Sequence, residues 1–128
     1  MKRGYDRNYF PPAPVLQVRF ITPEWDLHTE SLQAIVDTGA DGTLAPTKYL
    51  QQIEEASVGG ESSIRSQWGE RRVVDLYLID VEIDRLTLPG IWVVGDESGE
   101  EIVLGRNVLN RLRLLLDGPA ATTEVLDT

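Results

Sequence analysis

The chain has 128 residues, a formal net charge of −9 and no cysteine, so its size suits one packed core rather than two. The acidity argues against a nucleic-acid binder, because phosphate contacts need clustered Lys and Arg. The missing thiols exclude disulfides, a cysteine nucleophile and zinc-thiolate sites.

No apolar run is long enough to span a bilayer, so no membrane partner is expected. Basic Met1-Lys2-Arg3 is followed by polar Gly4-Tyr5-Asp6-Arg7-Asn8 rather than by the apolar stretch of a signal peptide. A cytoplasmic location is therefore the default expectation. The basic groups, Arg71-Arg72 and Arg106, Arg111 and Arg113, are interrupted by apolar residues and read as solvated or salt-bridged faces.

Residues 1–12 form an arm, rich in Tyr, Arg and Pro, that is expected to be extended or mobile. Val15 to Ile21 alternates imperfectly and predicts the first strand. A turn over Thr22-Pro23-Glu24-Trp25-Asp26 leads to a second strand, Ser31 to Val36. That strand runs directly into Asp37-Thr38-Gly39-Ala40-Asp41-Gly42, where the glycines allow a tight turn. From Thr47 to Glu55, Tyr49, Leu50 and Ile53 fall at helical spacing, with Pro46 at the first helical position and Val58-Gly59-Gly60 closing the helix.

Glu61 to Val73 is polar with one apolar break, and a strand follows from Val74 to Ile83. Asp84-Arg85 turns the chain, and the continuous apolar run Ile91 to Val94 suits a strand buried on both sides. After an acidic loop at 96–100, Ile102-Val103-Leu104-Gly105 predicts a short strand, and Arg106 to Leu112 a helix. Leu114 to Leu116 is a last core strand, and the tail 119–128 holds one further strand candidate, Thr123 to Leu126. Many short strands with one or two short helices predict an all-β class and a small closed barrel.

Asp-Thr-Gly alone is ambiguous, since a surface turn with Asp37 accepting backbone hydrogen bonds uses the same residues. A second apolar strand running into glycine, Leu104-Gly105-Arg106-Asn107, changes that. With both units present, the chain over residues 13–118 resembles the retropepsin-like aspartic proteases, the single-domain family of the retroviral proteases and their bacterial relatives. The two units also suggest an internal pseudo-symmetry.

The resemblance implies an aspartic endopeptidase without a cofactor or metal, acting on a peptide or protein substrate. It assigns Asp37 as the catalytic carboxylate. With one Asp-Thr-Gly per chain, the second carboxylate must come from another copy, so a homodimer is implied. Two carboxylates about 3 Å apart cannot both ionise, and they titrate as a coupled pair.

By the same match Thr38 braces the turn across the two-fold axis, Gly39 and Ala40 leave room for a peptide, and Asp41 pairs with Arg106, supported by Asn107. The segment around Gln67-Trp68-Gly69 becomes the tip of a flap hairpin, with Trp68 and Gly69 contacting substrate; an ordinary exposed hairpin is the other reading. The tail becomes either an interface strand or a disordered end. Two departures stand out. Gly42 replaces the second acid common in retroviral sequences, and the flap's glycines are reduced to Gly69. The alternative to an enzyme is a catalytically inactive protease-like peptide-binding or dimerisation module.

Other constellations are weaker. His28 is the lone histidine and has no positioned serine for a triad. Asp80, Glu82 and Asp84 recur with period two, which reads as a solvated strand face rather than a calcium site. Trp25, Trp68 and Trp92 suit core or substrate contact better than nucleic-acid stacking.

Overall fold

The computed structural model describes residues 1–24, 27–53, 57–65 and 71–126, with the backbone alone at 57–65 and 71–73. Among the described residues, ten strands and two short helices follow one another in the order β1 (Lys2–Gly4), β2 (Val15–Ile21), β3 (Leu32–Val36), β4 (Thr43–Pro46), α1 (Thr47–Gln51), β5 (Ser57–Arg65), β6 (Arg71–Ile83), β7 (Leu86–Asp96), β8 (Ile102–Leu104), α2 (Arg106–Leu109), β9 (Leu114–Asp117) and β10 (Thr122–Val125).

Seven strands form one sheet in the order β2-β3-β8-β4-β7-β6-β5, and an added β2–β6 pairing closes six of them into a barrel. The closure uses β2 twice. Its first half pairs with β3 from Val15 to Val18, and its second half pairs with β6 from Val18 to Ile21. A strand shared in this way has no free edge, and five of its seven residues are buried.

Strand β3 alternates cleanly. Leu32, Ala34 and Val36 point into the core, while Gln33 and Ile35 point out. The barrel is filled mainly by Leu16, Phe20, Ile79, Ile83, Leu104 and Val108, all essentially inaccessible. Helix α1 is a single turn with no side-chain cap, and its value lies in Leu50. Leu50 and, two residues past the helix, Ile53 are fully buried in the core.

Several expectations change. Strand β4 was not foreseen, because Thr43-Leu44-Ala45-Pro46 is too short for alternation to register. Pro46 ends that strand and caps α1 from outside rather than opening the helix. Val58-Gly59-Gly60 does not close a helix but lies in β5, where the register shifts between Val58 and Gly60. The apolar run in β7 is not buried on both sides: Ile91 and Val93 face the core, while Trp92 is 43 % exposed.

Asp80 is not on a solvated face. It is buried at a β6 bulge, and its carboxylate accepts the amide of Gly90 at 3.0 Å. Gly90 has φ +65°, a conformation that side-chain-bearing residues rarely take, so the bulge and this glycine fit together.

A second sheet has the order β1-β10-β9. The first residues of the arm thus pair with the tail, with Lys2 opposite Glu124 and Gly4 opposite Thr122. The sequence left the tail open between a strand at an interface and disorder; residues 122–125 pair within their own chain.

Candidate active site

The candidate site is built where β3, β8 and β4 meet. Strands β3 and β4 are joined by only six residues, yet they are not neighbours, because β8 lies between them. It runs parallel to β3, with Val36 opposite Leu104, and antiparallel to β4, with Leu44 opposite Val103. The turn from Asp37 to Gly42 must therefore cross over the end of β8. Gly105, the next residue of that strand, lies directly beneath it.

The crossing dictates residue size. A methyl group at Gly105 would overlap the backbone of Gly42, so the two chains cross with no side chain between them. This contact explains why position 105 is glycine; a side chain at Gly42 would point into open space.

The turn is then fixed by hydrogen bonds. The Asp37 amide donates to the Leu104 carbonyl at 3.1 Å, extending the ladder one residue past β3. Asp37 Oδ1 accepts the Gly39 amide at 2.9 Å, and the Ala40 amide reaches the Asp37 carbonyl at 3.2 Å. In return, the Ala40 carbonyl accepts the Arg106 amide at 2.8 Å. The Asp37 carboxylate is thus exposed to solvent yet held by the backbone on a rigid support.

Arg106 bridges the turn. Its Nη1 donates to the Thr38 carbonyl at 2.8 Å, and its Nη2 pairs with Asp41 Oδ1. The pair is not a buried, bidentate one, since the Asp41 side chain is 93 % exposed. An ion pair so open to water contributes less than about 1 kcal/mol. The bond to the Thr38 carbonyl fixes the turn more firmly, because it ties α2 to backbone.

Sequence reading missed Thr43. Its side chain is fully buried; the hydroxyl accepts the Gly105 amide at 3.2 Å and donates to Asn107 Oδ1 at 2.8 Å. Asn107 Nδ2 in turn donates to the Trp92 carbonyl at 2.9 Å. One hydroxyl therefore links the exit of the turn to β8, α2 and β7. A threonine next to Asp-Gly carries no signal for this; only the strand crossing reveals it.

Thr38 and Gly39 are exposed and Ala40 is half-buried, all within the same turn as Asp37. Trp68 and Gly69 lie outside the described residues. The strands that flank them are present: β5 and β6 form an antiparallel hairpin with Ser57 opposite Leu78 and Arg65 opposite Arg71.

His28 lies elsewhere, with its ring 2.8 Å from Arg19, and has no part in the site. Among the described residues no three His, Cys, Asp or Glu side chains converge on a possible metal position.

Comparison with solved structures now bears on this arrangement. No family model matches the sequence, and no curated protein matches it significantly. A retropepsin-like aspartic protease from Rickettsia conorii superposes with TM-score 0.60 and 12 % identity, over 98 % of this chain and 88 % of that one. EIAV protease, solved with the inhibitor HBY-793, gives 0.54 and 16 %, over 77 % and 86 %. The retroviral protease-like domain of Ddi1 from Leishmania major gives 0.54 and 14 %, over 90 % of both chains.

The chain has the retropepsin fold. The all-β class and the small closed barrel read from the sequence are those of this fold. At such low identity the likeness stands on architecture rather than on shared residues, and the retropepsin barrel is what carries Asp37 to the surface.

Proposed function

We propose that this chain is an aspartic endopeptidase that works as a homodimer, each copy supplying Asp37. The observation that carries the reading is the setting of that carboxylate. It is exposed at the end of a buried strand, its amide is locked to Leu104 and one of its oxygens to the Gly39 amide, within a retropepsin fold.

The chemistry needs two carboxylates and one water. An ionised Asp37 takes a proton from the water as its oxygen bonds to the peptide carbonyl carbon. The protonated partner's Asp37 donates a hydrogen bond to the carbonyl oxygen. As the C–N bond breaks, a proton passes from the pair to the leaving nitrogen. Because one carboxylate of the two must keep its proton, the optimum lies on the acid side of neutrality.

Thr38 braces the two turns across the axis, Gly39, Ala40 and Asp41 line the floor beneath an extended peptide, and Arg106 keeps the turn in register. The β5–β6 hairpin, carrying Trp68 and Gly69 at its tip, covers the peptide, which is held as an added strand by main-chain hydrogen bonds.

The deciding experiment compares the protein with its Asp37→Asn variant on a peptide library from pH 4 to 7, with sedimentation of both. Cleavage is expected from the first and none from the second, with both dimeric. Undiminished turnover in the variant refutes the assignment. A dimer that binds peptide without cutting at any pH identifies the inactive binding module instead.

A further inference from the structure

The chain that leaves α2 borders a groove that contains no residue of the Asp37 turn. Between Leu109 and Leu114 it passes from α2 to β9, and the Leu126 amide, just past β10, donates to the Arg113 carbonyl at 2.8 Å. The first residues of β7 complete the groove. It measures about 440 Å³, and Leu86, Leu88, Leu112 and Leu126 are among its walls together with Arg111 and Arg113. Leu86 and Leu126 are 36 % and 39 % exposed. Ligand clefts run to roughly 300–1,000 Å³, so the volume admits several side chains.

The charge of this groove opposes that of the molecule. The chain has 21 Asp and Glu against 12 Lys and Arg, yet no acid stands among the described residues that wall the groove. Asp84 lines a neighbouring cavity, whose walls share Leu86 with it. Arg111 and Arg113 are both exposed. Arg111 Nη1 donates to the Pro89 carbonyl at 3.0 Å, which fixes the side chain against β7 and leaves the rest of its five-donor fork unused. Arg113 makes no side-chain hydrogen bond or ion pair among the described residues. Salt screens charges beyond about 8 Å at physiological ionic strength, so at the groove these two guanidinium groups outweigh remote carboxylates.

We infer that this groove docks an acidic segment of a partner protein. Carboxylates of the segment pair with Arg111 and Arg113, and a large apolar side chain beside them covers Leu86 and Leu126. The planar guanidinium binds a carboxylate through two parallel hydrogen bonds, and the leucines add apolar burial that a free anion cannot use. A concave groove on an acidic molecule suits a peptide better than a flat anionic bilayer. The inference stands apart from the protease reading.

The test measures binding of a short fluorescent peptide of alternating Glu and Leu at neutral pH, beside its counterpart with Gln in place of Glu. The parent protein is expected to bind the first and not the second, and added salt should weaken the complex. Arg113→Glu should weaken it about tenfold or more, as loss of a charge-assisted hydrogen bond does, and Arg113→Gln by less. Leu126→Ala should weaken it about fivefold. Lys48→Glu makes the same change of charge on α1 and should leave binding within about twofold. Thermal unfolding of each variant separates lost binding from lost fold.

Binding that is absent, or unmoved in both Arg113 variants, overturns the inference. So does capture of anionic vesicles, but not of the peptide, that is lost in Arg113→Glu. A fall in sedimentation coefficient in Arg113→Glu, with no peptide bound by the parent, assigns the groove to a second copy instead. Binding gained only in Asp127→Asn assigns it to the chain's own tail, since Asp127 follows Leu126.

Discussion

Gly105 and Gly42 cross backbone to backbone, and this contact decides whether the turn bearing Asp37 can lie over the end of β8. The strand order β3-β8-β4 forces the crossing, and any Cβ at Gly105 meets the main chain of Gly42 rather than a side chain that could swing away. Gly105→Ala is therefore expected to destabilise the fold by about 1–3 kcal/mol or more, as overpacking against a rigid neighbour does. Gly118→Ala is the matched control, since nothing lies within 4 Å of its added carbon, and it should change stability by less than about 0.5 kcal/mol. Urea unfolding midpoints of the two variants check the contrast.

Arg106 and Asp41 form a pair whose two halves should not weigh equally. Asp41→Asn removes one exposed charge and should cost less than about 1 kcal/mol. Arg106→Ala also removes the donor to the Thr38 carbonyl, adding the loss of a charge-assisted hydrogen bond of roughly 1.5–3 kcal/mol. Thermal unfolding should rank Arg106→Ala well below Asp41→Asn. Equal losses would mean that the bridge to Thr38 contributes nothing.

Tyr9 gives the chain a late titration. The hydrogen bond to the Glu101 carboxylate, with burial and the negative charges of Glu101 and Asp6, pushes its pKa up from 10.0 to about 12. A phenol whose folded pKa is raised adds stability that is fully present below the unfolded value and is lost as pH climbs through the folded one. The alkaline limb should therefore show stability falling from about pH 10 to about pH 12. Absorbance at the tyrosinate band should show one of the four tyrosines ionising late. In Glu101→Gln that step should move back down toward 10.0, the ordinary value for a phenol. A titration unchanged by that substitution would remove Glu101 as the cause.

Two strands were legible without coordinates, Val15 to Ile21 from its imperfect alternation and Ser31 to Val36 from the apolar residues that run into Asp37. The boundaries of the helices were not legible. Tyr49, Leu50 and Ile53 have helical spacing, but the helix stops at Gln51, because the barrel needs only one turn there to bring Leu50 into the core. In β7 the run of four apolar residues concealed an outward-facing Trp92. Apolar composition reports affinity for the core but not which face of a strand meets it.

The amino-acid order by itself determined the class of fold and the position of Asp37 on it. A buried strand ending in Asp-Thr-Gly and another ending in Leu-Gly-Arg-Asn are local patterns, set by side-chain chemistry over a few neighbouring residues. Only the tertiary structure decided how the two patterns meet: β8 inserted between β3 and β4, Gly105 under Gly42, Thr43 joining three elements, and Tyr9 brought 92 residues along the chain to Glu101. Those contacts join segments far apart in the chain. Their geometry comes from closing the barrel, and no local run of residues contains it.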